Sequence, residues 1–205
     1  SLFNWSSLGF GYEAFLKDVT KPNKQIKQKS AELIAGANSD EEKLRRIYDF
    51  VQKEIKNLSF DTSLTEEERE NIKIKDADDV LKRRVGNSLY VDLLFASLAR
   101  AADYEVNIVL AGDRREQFFN PDKYKSASFL NGCCIAVKVN NDWKFYNPGT
   151  PYLPFGKLMW YEEDTVSMLI GEGGYFWRET PLSAHQDSPA KRIGKFKLLE
   201  DGTLE

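Results

Sequence analysis

The chain has few of the residues on which metal and disulfide chemistry depends. Its 205 residues include one histidine and two cysteines, and the cysteines are neighbours, Cys133 and Cys134. Adjacent cysteines cannot build a disulfide framework, and no Cys/His spacing resembles that of a zinc site. The sequence therefore predicts no metal site, and we expect no cofactor.

The chain also lacks a strong charge of either sign and a long apolar run. Its 29 basic and 32 acidic residues give a formal net charge of -3. That balance provides no electrostatic footprint for nucleic acid or an anionic membrane surface. No segment has the length of a membrane span, and no signal peptide is visible. With 41% hydrophobic residues, the composition is that of an ordinary folded domain. We expect no nucleic acid partner and no membrane span in this chain.

Apolar residues at helical spacing predict several helices. The clearest covers residues 39–57. It begins at Ser39-Asp40-Glu41-Glu42, which has the form of a capping box, with Ser39 as the N-cap and Glu42 three residues later. A further helix lies between Pro22 and Gly36. Additional helices are predicted at 76–84 and at 88–101, and the acidic run at 66–70 is predicted to be a solvated loop or short surface helix.

Residues 88–101 form a helix that is apolar on nearly every side, which indicates a central buried position. Ser88 opens this helix after Gly86 and Asn87. A small polar residue there lies beside free backbone N–H groups and the positive end of the helix dipole, which stabilise a thiolate, an oxyanion or a bound anion. The simpler interpretation is that Ser88 is the N-cap.

Alternating apolar residues predict strands at 105–110, 133–139 and 143–147, the last two joined in a hairpin by Asn140 and Asn141. In that register Cys134 lies opposite Asn147, and strict alternation of side chains places Gly132 on the same face. Later strands are predicted at 166–170, 174–177 and 194–199. The predicted fold class is therefore α+β, a helical layer packed on an antiparallel sheet.

The order of these segments resembles the transglutaminase-like superfamily over most of residues 38–150. The segments that carry the resemblance are 43–57, Ala77-x-x-Val80-Leu81-x-x-Arg84-x-Gly86-x-Ser88, Asn131-x-Cys133-Cys134-Ile135 and Phe145-Tyr146-Asn147-Pro148. The resemblance implies a papain-like fold. It also implies a Cys-His-Asp triad, with the cysteine at the start of the buried helix, the histidine on one strand and the aspartate before proline on the next.

The three positions equated with that triad hold Ser88, Gly132 and Asn147. A triad requires a base that removes the proton of the nucleophile and a carboxylate that orients the resulting imidazolium. Gly132 has no side chain, so no base stands there to activate the hydroxyl of Ser88. The resemblance therefore predicts a pseudoenzyme with a degenerate catalytic triad, which acts as a binding or scaffold module.

Two residues are candidates to replace the missing catalytic groups, and they bear on the alternative function. His185, the single histidine, lies in a polar, turn-rich stretch typical of a solvated surface residue. Cys134 shares the predicted face with Gly132, although a cysteine within a strand is generally a small buried hydrophobe. The alternative is a hydrolase or acyltransferase on peptide or isopeptide bonds with a rebuilt Ser88 or Cys134 site.

If the cleft formed by the three triad-equivalent positions persists, it is a candidate ligand site for a peptide or an envelope glycan. An anionic group of the ligand would accept hydrogen bonds from backbone N–H groups at the start of the helix that Ser88 opens. Phe118 and Phe119 lie in the irregular segment 111–129, which is predicted to be a long loop, and they either line this cleft or pack in the core. The candidate ligand-binding residues are Asn87, Ser88, Asn131, Cys134, Tyr152 and Trp160.

Three regions are predicted along the chain. Residues 1–37 form an N-terminal helical flank, 38–160 the transglutaminase-like core, and 161–205 a C-terminal β-rich extension that begins a following β domain. The sequence starts without methionine and ends just after a hairpin turn, so we expect a fragment of a larger polypeptide. The flanks of residues 38–150 resemble the bacterial subgroup in which this domain lies between β-rich domains of an envelope protein. That resemblance implies a cell-envelope, periplasmic or exported location.

Overall fold

The computed structural model describes residues 4–187, 194–195, 199–201 and 203. Within this part of the chain, helices dominate the first half and strands the second. The α-helices are α1 (Trp5–Val19), α2 (Lys24–Ile34), α3 (Asp40–Glu54), α4 (Glu66–Asn71), α5 (Ala77–Arg83) and α6 (Ser88–Ala101). The strands are β1 (Lys56–Asn57), β2 (Val85–Gly86), β3 (Val106–Gly112), β4 (Leu130–Val139), β5 (Asp142–Tyr146), β6 (Val166–Gly171) and β7 (Gly174–Glu179).

The buried helix α6 is the centre of the fold, as its composition predicts. Every residue from Val91 to Ala99 is buried. The N-cap, however, is Asn87 and not Ser88, because the Asn87 side chain accepts a hydrogen bond from the backbone N–H of Tyr90 at 3.0 Å. Ser88 is therefore the first residue inside the helix, which leaves its hydroxyl available to a neighbouring segment.

Helix α3 packs against α6 through one face, with Leu44, Ile47, Tyr48 and Val51 among its buried residues. Ser39 caps it by accepting a hydrogen bond from the backbone N–H of Glu42 at 3.1 Å. The Glu42 carboxylate bonds the backbone N–H of Asn38, one residue before the cap. The predicted reciprocal capping box is thus only half formed at α3.

The sheet is antiparallel and has the strand order β5-β4-β3-β6-β7. One face carries Ile108, Ile135 and Met168 into the main core beneath the helices. The opposite face holds a smaller apolar cluster that includes Cys133, Cys134 and Phe145. Side chains of the two edge strands, β5 and β7, meet: the rings of Trp143 and Phe176 are 5.7 Å apart, and Arg178 donates a hydrogen bond to Asp142 at 3.0 Å. These contacts indicate that the sheet is strongly curled.

The β4–β5 hairpin confirms the predicted turn but corrects the predicted face of Gly132. Val139 pairs with Asp142, and Asn140 and Asn141 both have positive φ, as a tight two-residue turn requires. Farther along β4 the register shifts: Cys134 pairs with Val109 of β3, whereas Gly132 pairs with the next residue, Leu110. This bulge inserts one residue, Cys133, so Gly132 and Cys134 lie on opposite faces.

The C-terminal strands belong to the same sheet as the predicted core. β6 pairs with β3 from Ile108↔Ile170 to Ala111↔Ser167, and β7 pairs with β6. The predicted boundary at residue 161 therefore does not separate two sheets. The strand predicted at 194–199 falls largely outside the described residues.

The N-terminal flank is also attached to this sheet. Trp5 of α1 makes edge contacts with Trp177 and Phe119, at ring distances of 5.1 and 5.9 Å. Gly9 lies so close to Tyr175 that an added Cβ would be 2.7 Å from the ring. Helix α1 thus covers β6 and β7, which extend the sheet beyond the predicted core.

Candidate functional site

A cavity of about 370 Å³ lies between the N-terminus of α6 and the sheet. It brings together four predicted site residues: Ser88, Gly132, Cys134 and Asn147. The other lining residues are Tyr12, Leu89, Asp92, Ile108, Leu110, Cys133, Ile135, Thr150 and Glu162. The family resemblance implied Ser88, Gly132 and Asn147, and the predicted hairpin register added Cys134, but neither gave any indication of Glu162.

The hydroxyl of Ser88 is held by an amide. Its Oγ lies 3.3 Å from Nδ2 and 3.4 Å from Oδ1 of Asn57, and its backbone N–H donates to Ser59 Oγ at 3.0 Å. Asn57 Nδ2 also donates to the carbonyl of Gly149 at 2.8 Å. Asn57 reaches Ser88 because β1 pairs in parallel with β2, so that Asn57 is aligned with Gly86. An amide cannot act as a general base at neutral pH.

Gly132 leaves open space where the resemblance expects an imidazole. A Cβ added at this position would have no heavy atom within 4 Å. A second cavity of about 170 Å³ shares Gly132, Cys133 and Glu162 with the first, and Asn131 lines only this second one. The two cavities therefore adjoin at Gly132, since no side chain divides them there.

Asn147 is committed to hydrogen bonds on both ends of its amide. Nδ2 donates to Glu162 Oε2 at 3.2 Å, and Oδ1 accepts from the backbone N–H of Thr150 at 3.1 Å. Tyr48 of α3 fixes the same loop by donating to the carbonyl of Leu153 at 2.7 Å. Asn147 is thus a turn-forming residue that presents one amide edge to a carboxyl group.

Glu162 is the site residue that the sequence interpretation missed. Burial raises the pKa of its carboxyl group, although the N–H of Met159, at 3.0 Å, and the amide of Asn147 oppose the shift. It follows a segment of prolines, glycines and aromatic residues with no regular period. Its carboxylate is held at the cavity by hydrogen bonds from Asn147 and from the backbone N–H of Met159, and its carbonyl accepts from Thr180.

Asp92 is a second carboxyl group at the cavity, one turn into α6. Its Oδ1 accepts the backbone N–H of Gly149 at 2.7 Å, which ties the loop after β5 to the helix. Burial raises the pKa of Asp92 well above the usual carboxyl range, and nearby Glu162 adds to the shift. In the sequence, the feature that marks Asp92 is an acidic residue in a helix that is apolar on nearly every side, where a buried carboxyl group needs a hydrogen-bond donor such as the Gly149 N–H.

The two cysteine thiols touch each other. The Sγ atoms of Cys133 and Cys134 are 3.0 Å apart, with Cys133 as donor, and both side chains are buried. The hydrogen bond to Cys134, followed by burial, raises the pKa of Cys133 well above its ordinary value, and burial raises that of Cys134. Neither thiol is therefore poised as a thiolate at neutral pH.

The remaining predicted residues lie away from the 370 Å³ cavity. Tyr152 and Trp160 do not line it and are 96% and 60% exposed. Phe119 packs in the core whereas Phe118 is exposed. His185 is an exposed residue in a short 3-10 turn at 185–187.

The structure does not favour an anionic ligand at the start of α6. Two backbone N–H groups there already have partners, since Ser88 donates to Ser59 and Tyr90 donates to Asn87. The lining of the 370 Å³ cavity contains Asp92 and Glu162 but no lysine or arginine. Its electrostatic character suits hydrogen-bond donors or a positive group better than a carboxylate.

Fold and site together define an α+β domain in which a buried helix faces an antiparallel sheet across a cavity. The family model for the transglutaminase-like superfamily matches residues 27–148. The match covers more than half of the chain, and the chain belongs to the transglutaminase-like superfamily. The predicted papain-like, transglutaminase-like α+β fold class is thereby confirmed.

Two solved structures are similar to the chain. A putative protease from Parabacteroides distasonis ATCC 8503 is 14% identical, with a TM-score of 0.49, and the match covers 67% of this chain and 26% of that one. A putative cysteine protease from Cytophaga hutchinsonii is 12% identical, with a TM-score of 0.46 and coverages of 84% and 60%. The chain therefore spans less than two thirds of either protein. Comparison with curated proteins gives no match.

The described residues contain no cluster of three or more histidine, cysteine, aspartate or glutamate side chains suited to a metal ion. Over the same part of the chain, none of the helices combines the length and the apolar character needed to cross a bilayer.

Proposed function

We propose that this domain is a catalytically inactive member of its superfamily that serves as a ligand-binding module. The observation that carries the proposal is the open space at Gly132, next to a serine whose hydroxyl bonds an amide. Acyl transfer by a serine needs a base within hydrogen-bond reach to remove its proton. Neither Asn57 nor Gly132 meets that requirement.

The proposed ligand is a peptide that presents a free amino group to the cavity. Asp92 and Glu162 both line it, and Asn147 holds Glu162 by its amide. An ammonium group entering beside Glu162 forms a charge-assisted hydrogen bond, which is stronger in a partly buried site than at the surface. A neutral envelope glycan, whose hydroxyl groups also donate hydrogen bonds, is the other outcome that the binding experiment distinguishes.

Labelling with acylating probes tests the absence of activity. Serine-directed and thiol-directed probes are incubated with the native protein and with Ser88→Ala and Cys134→Ala. We expect no labelling that either substitution removes. Labelling lost in one variant would instead establish the alternative, a hydrolase or acyltransferase with a rebuilt Ser88 or Cys134 site.

A restored triad provides the positive control. The variant carries Ser88→Cys, Gly132→His and Asn147→Asp, together with Glu162→Gln, because a carboxylate at 147 would otherwise face that of Glu162. A Cβ at position 132 would meet no neighbour within 4 Å, so a histidine side chain can start from Gly132 without a clash at its first atom. We expect thiol labelling at position 88 at least tenfold faster than in Ser88→Cys.

Calorimetric titration tests the ligand. Short peptides with a free amino terminus are compared with the same peptides after acetylation, and with neutral oligosaccharides. We expect acetylation or Glu162→Gln to weaken binding about tenfold, equivalent to about 1.4 kcal/mol. Gly132→Trp, which fills the open space, is expected to abolish binding. Equal binding of free and acetylated peptides would contradict the amine assignment.

We also propose that the module belongs to a larger bacterial envelope protein, beside β-rich domains of the same polypeptide. The support is the resemblance of the segments that flank residues 38–150 to that subgroup. Localisation by fractionation of cells that express the full-length gene tests this proposal. Recovery from the cytosol would contradict it.

A further inference from the structure

We propose that Cys133 and Cys134 form a reversible vicinal disulfide when the protein meets a small disulfide oxidant. The site is a modification site, and it is independent of the peptide ligand proposed above. It stands on the geometry of β4, where the two sulfur atoms are 3.0 Å apart in the reduced chain.

The β-bulge is what allows the two thiols to meet. In a regular strand, successive side chains point to opposite faces of the sheet, which keeps neighbouring sulfur atoms apart. Here the register shift between Val109 and Leu110 of β3 adds one residue to β4. Both cysteines consequently join the same apolar cluster on the face away from α6. A disulfide bond of about 2.05 Å requires the sulfur atoms to approach by only about 1 Å more.

The pair is buried but has a route to small reagents. Cys133 is 6% exposed and Cys134 is 3% exposed, yet both line the 370 Å³ cavity. Cys133 also lines the adjoining 170 Å³ cavity. The route we propose for a compact neutral disulfide runs from these cavities past Gly132, which contributes no side chain, to the edge of the apolar cluster that holds the two thiols.

The reaction is two successive thiol–disulfide exchanges. Burial raises the pKa of Cys134, but the S–H of Cys133 donates a hydrogen bond that opposes this shift, so Cys134 is the thiol that loses its proton to solvent first. That thiolate attacks one sulfur of the small disulfide, whose S–S bond breaks to release one small thiol. Cys133, after losing its proton, then attacks the sulfur of Cys134 and expels the second small thiol. The protein loses two electrons and two protons, and one small disulfide becomes two thiols.

The product is expected to be easily reduced. Neighbouring Cα atoms are about 3.8 Å apart, whereas disulfides usually join Cα atoms separated by about 4.4–6.8 Å. A bond between adjacent residues is therefore strained, and strained disulfides have more oxidising potentials. This property suits a reversible modification better than a permanent crosslink.

The test uses bis(2-hydroxyethyl) disulfide on the folded, fully reduced chain. Free thiols are counted after denaturation and quenching, and intact mass is measured on the same sample. We expect the count to fall from two thiols per chain to none, with a mass loss of two hydrogens and no retained adduct. Dithiothreitol should restore both thiols. Peptide mapping should place the bond between Cys133 and Cys134 of one chain.

Matched variants separate the pair from either thiol acting singly. Cys133→Ser and Cys134→Ser each retain one thiol, so neither can lose two hydrogens, and each either keeps a small-thiol adduct or stays reduced. Three results on the native protein would overturn the proposal: a stable adduct, a crosslink between chains, or oxidation that occurs only after the chain is unfolded in denaturant. The native-protein measurement decides the matter even if a variant fails to fold.

Discussion

At the scale of single residues, two glycines, Gly149 and Gly132, have opposite surroundings. A Cβ at Gly149 would lie 2.3 Å from the carbonyl oxygen of Ser88 and within 2.9 Å of both Asp92 carboxylate oxygens. A Cβ at Gly132 would touch nothing. Gly149 is thus required by the close approach of the loop to α6, and Gly132 is not required by packing.

We predict that Gly149→Ala lowers the free energy of unfolding by about 1–3 kcal/mol, the usual range for overpacking. Gly132→Ala, the matched control, should change it by less than about 0.5 kcal/mol. Urea unfolding followed by tryptophan fluorescence measures both. Equal effects of the two substitutions would show that the loop can move away from the helix.

The carboxyl group of Asp92 gives a prediction about pH. Its pKa is higher in the folded protein than in the unfolded chain, because burial penalises the charged form. The stabilisation that follows from this shift is complete below the ordinary carboxyl pKa, about 3.9, and is lost as pH rises through the folded-state value. Asp92→Asn removes the titration but keeps an oxygen that can accept the Gly149 N–H.

We therefore expect Asp92→Asn to gain stability relative to the native protein as pH increases from about 4 to 8. The measurement is the free energy of unfolding across that range in both proteins. Glu162→Gln serves as the parallel variant, since the pKa of Glu162 is also raised by burial. Stability curves that stay parallel would mean that Asp92 ionises normally in the folded state.

At the scale of secondary-structure elements, α6 contains one buried polar atom without a partner. Ser97 Oγ has no hydrogen-bond partner among the described residues, although Ser97 is fully buried. Ser30 of α2, by contrast, donates to the carbonyl of Leu98 at 2.8 Å and joins the two helices. An unsatisfied hydroxyl costs desolvation energy that a satisfied one recovers.

We predict that Ser97→Ala is neutral or stabilises the protein by about 1 kcal/mol, because it removes an unsatisfied buried group. Ser30→Ala should destabilise it by about 1 kcal/mol through loss of a hydrogen bond. Thermal unfolding of the two variants under identical conditions provides the comparison. A clear loss of stability in Ser97→Ala would reveal a partner for its hydroxyl.

At the scale of the whole molecule, the sheet couples the region matched by the family model to the strands that follow it. The family match ends at residue 148, but β6 pairs with β3 and carries Met168 and Ile170 into the main core. Both side chains are fully buried. The helical layer and the later strands therefore share one core.

We predict that truncation after residue 160 abolishes cooperative folding, whereas truncation after residue 187 preserves it. The shorter chain loses β6 and leaves β3 without one of its two neighbours. Loss of β6 also removes several large buried side chains from the core, and the burial of each contributes about 1.5–3 kcal/mol to the stability of the fold. Thermal unfolding of both chains is monitored by circular dichroism. A cooperative transition in the 1–160 chain would mean that the core folds without β6 and that a separate unit begins at residue 161.

The sequence by itself determined the features that depend on local periodicity and turn chemistry. The helix over 39–57, the buried helix over 88–101 and the Asn140-Asn141 turn are all present, with small differences at their ends. Each is specified by residues within a few positions of one another, through the repeats of 3.6 and 2 and the tolerance of asparagine for positive φ. The resemblance to the superfamily, not these patterns, placed Ser88 and Asn147 at one site.

Only the tertiary structure decided the features that depend on neighbours distant in sequence. The bulge at Cys133 arises where β4 pairs with β3, and it reverses the face of Gly132 relative to Cys134. Glu162 is held at the cavity by hydrogen bonds from Asn147 and Thr180, which lie in other parts of the chain. A one-residue shift in register moves a side chain to the other face, and nothing within β4 itself specifies it.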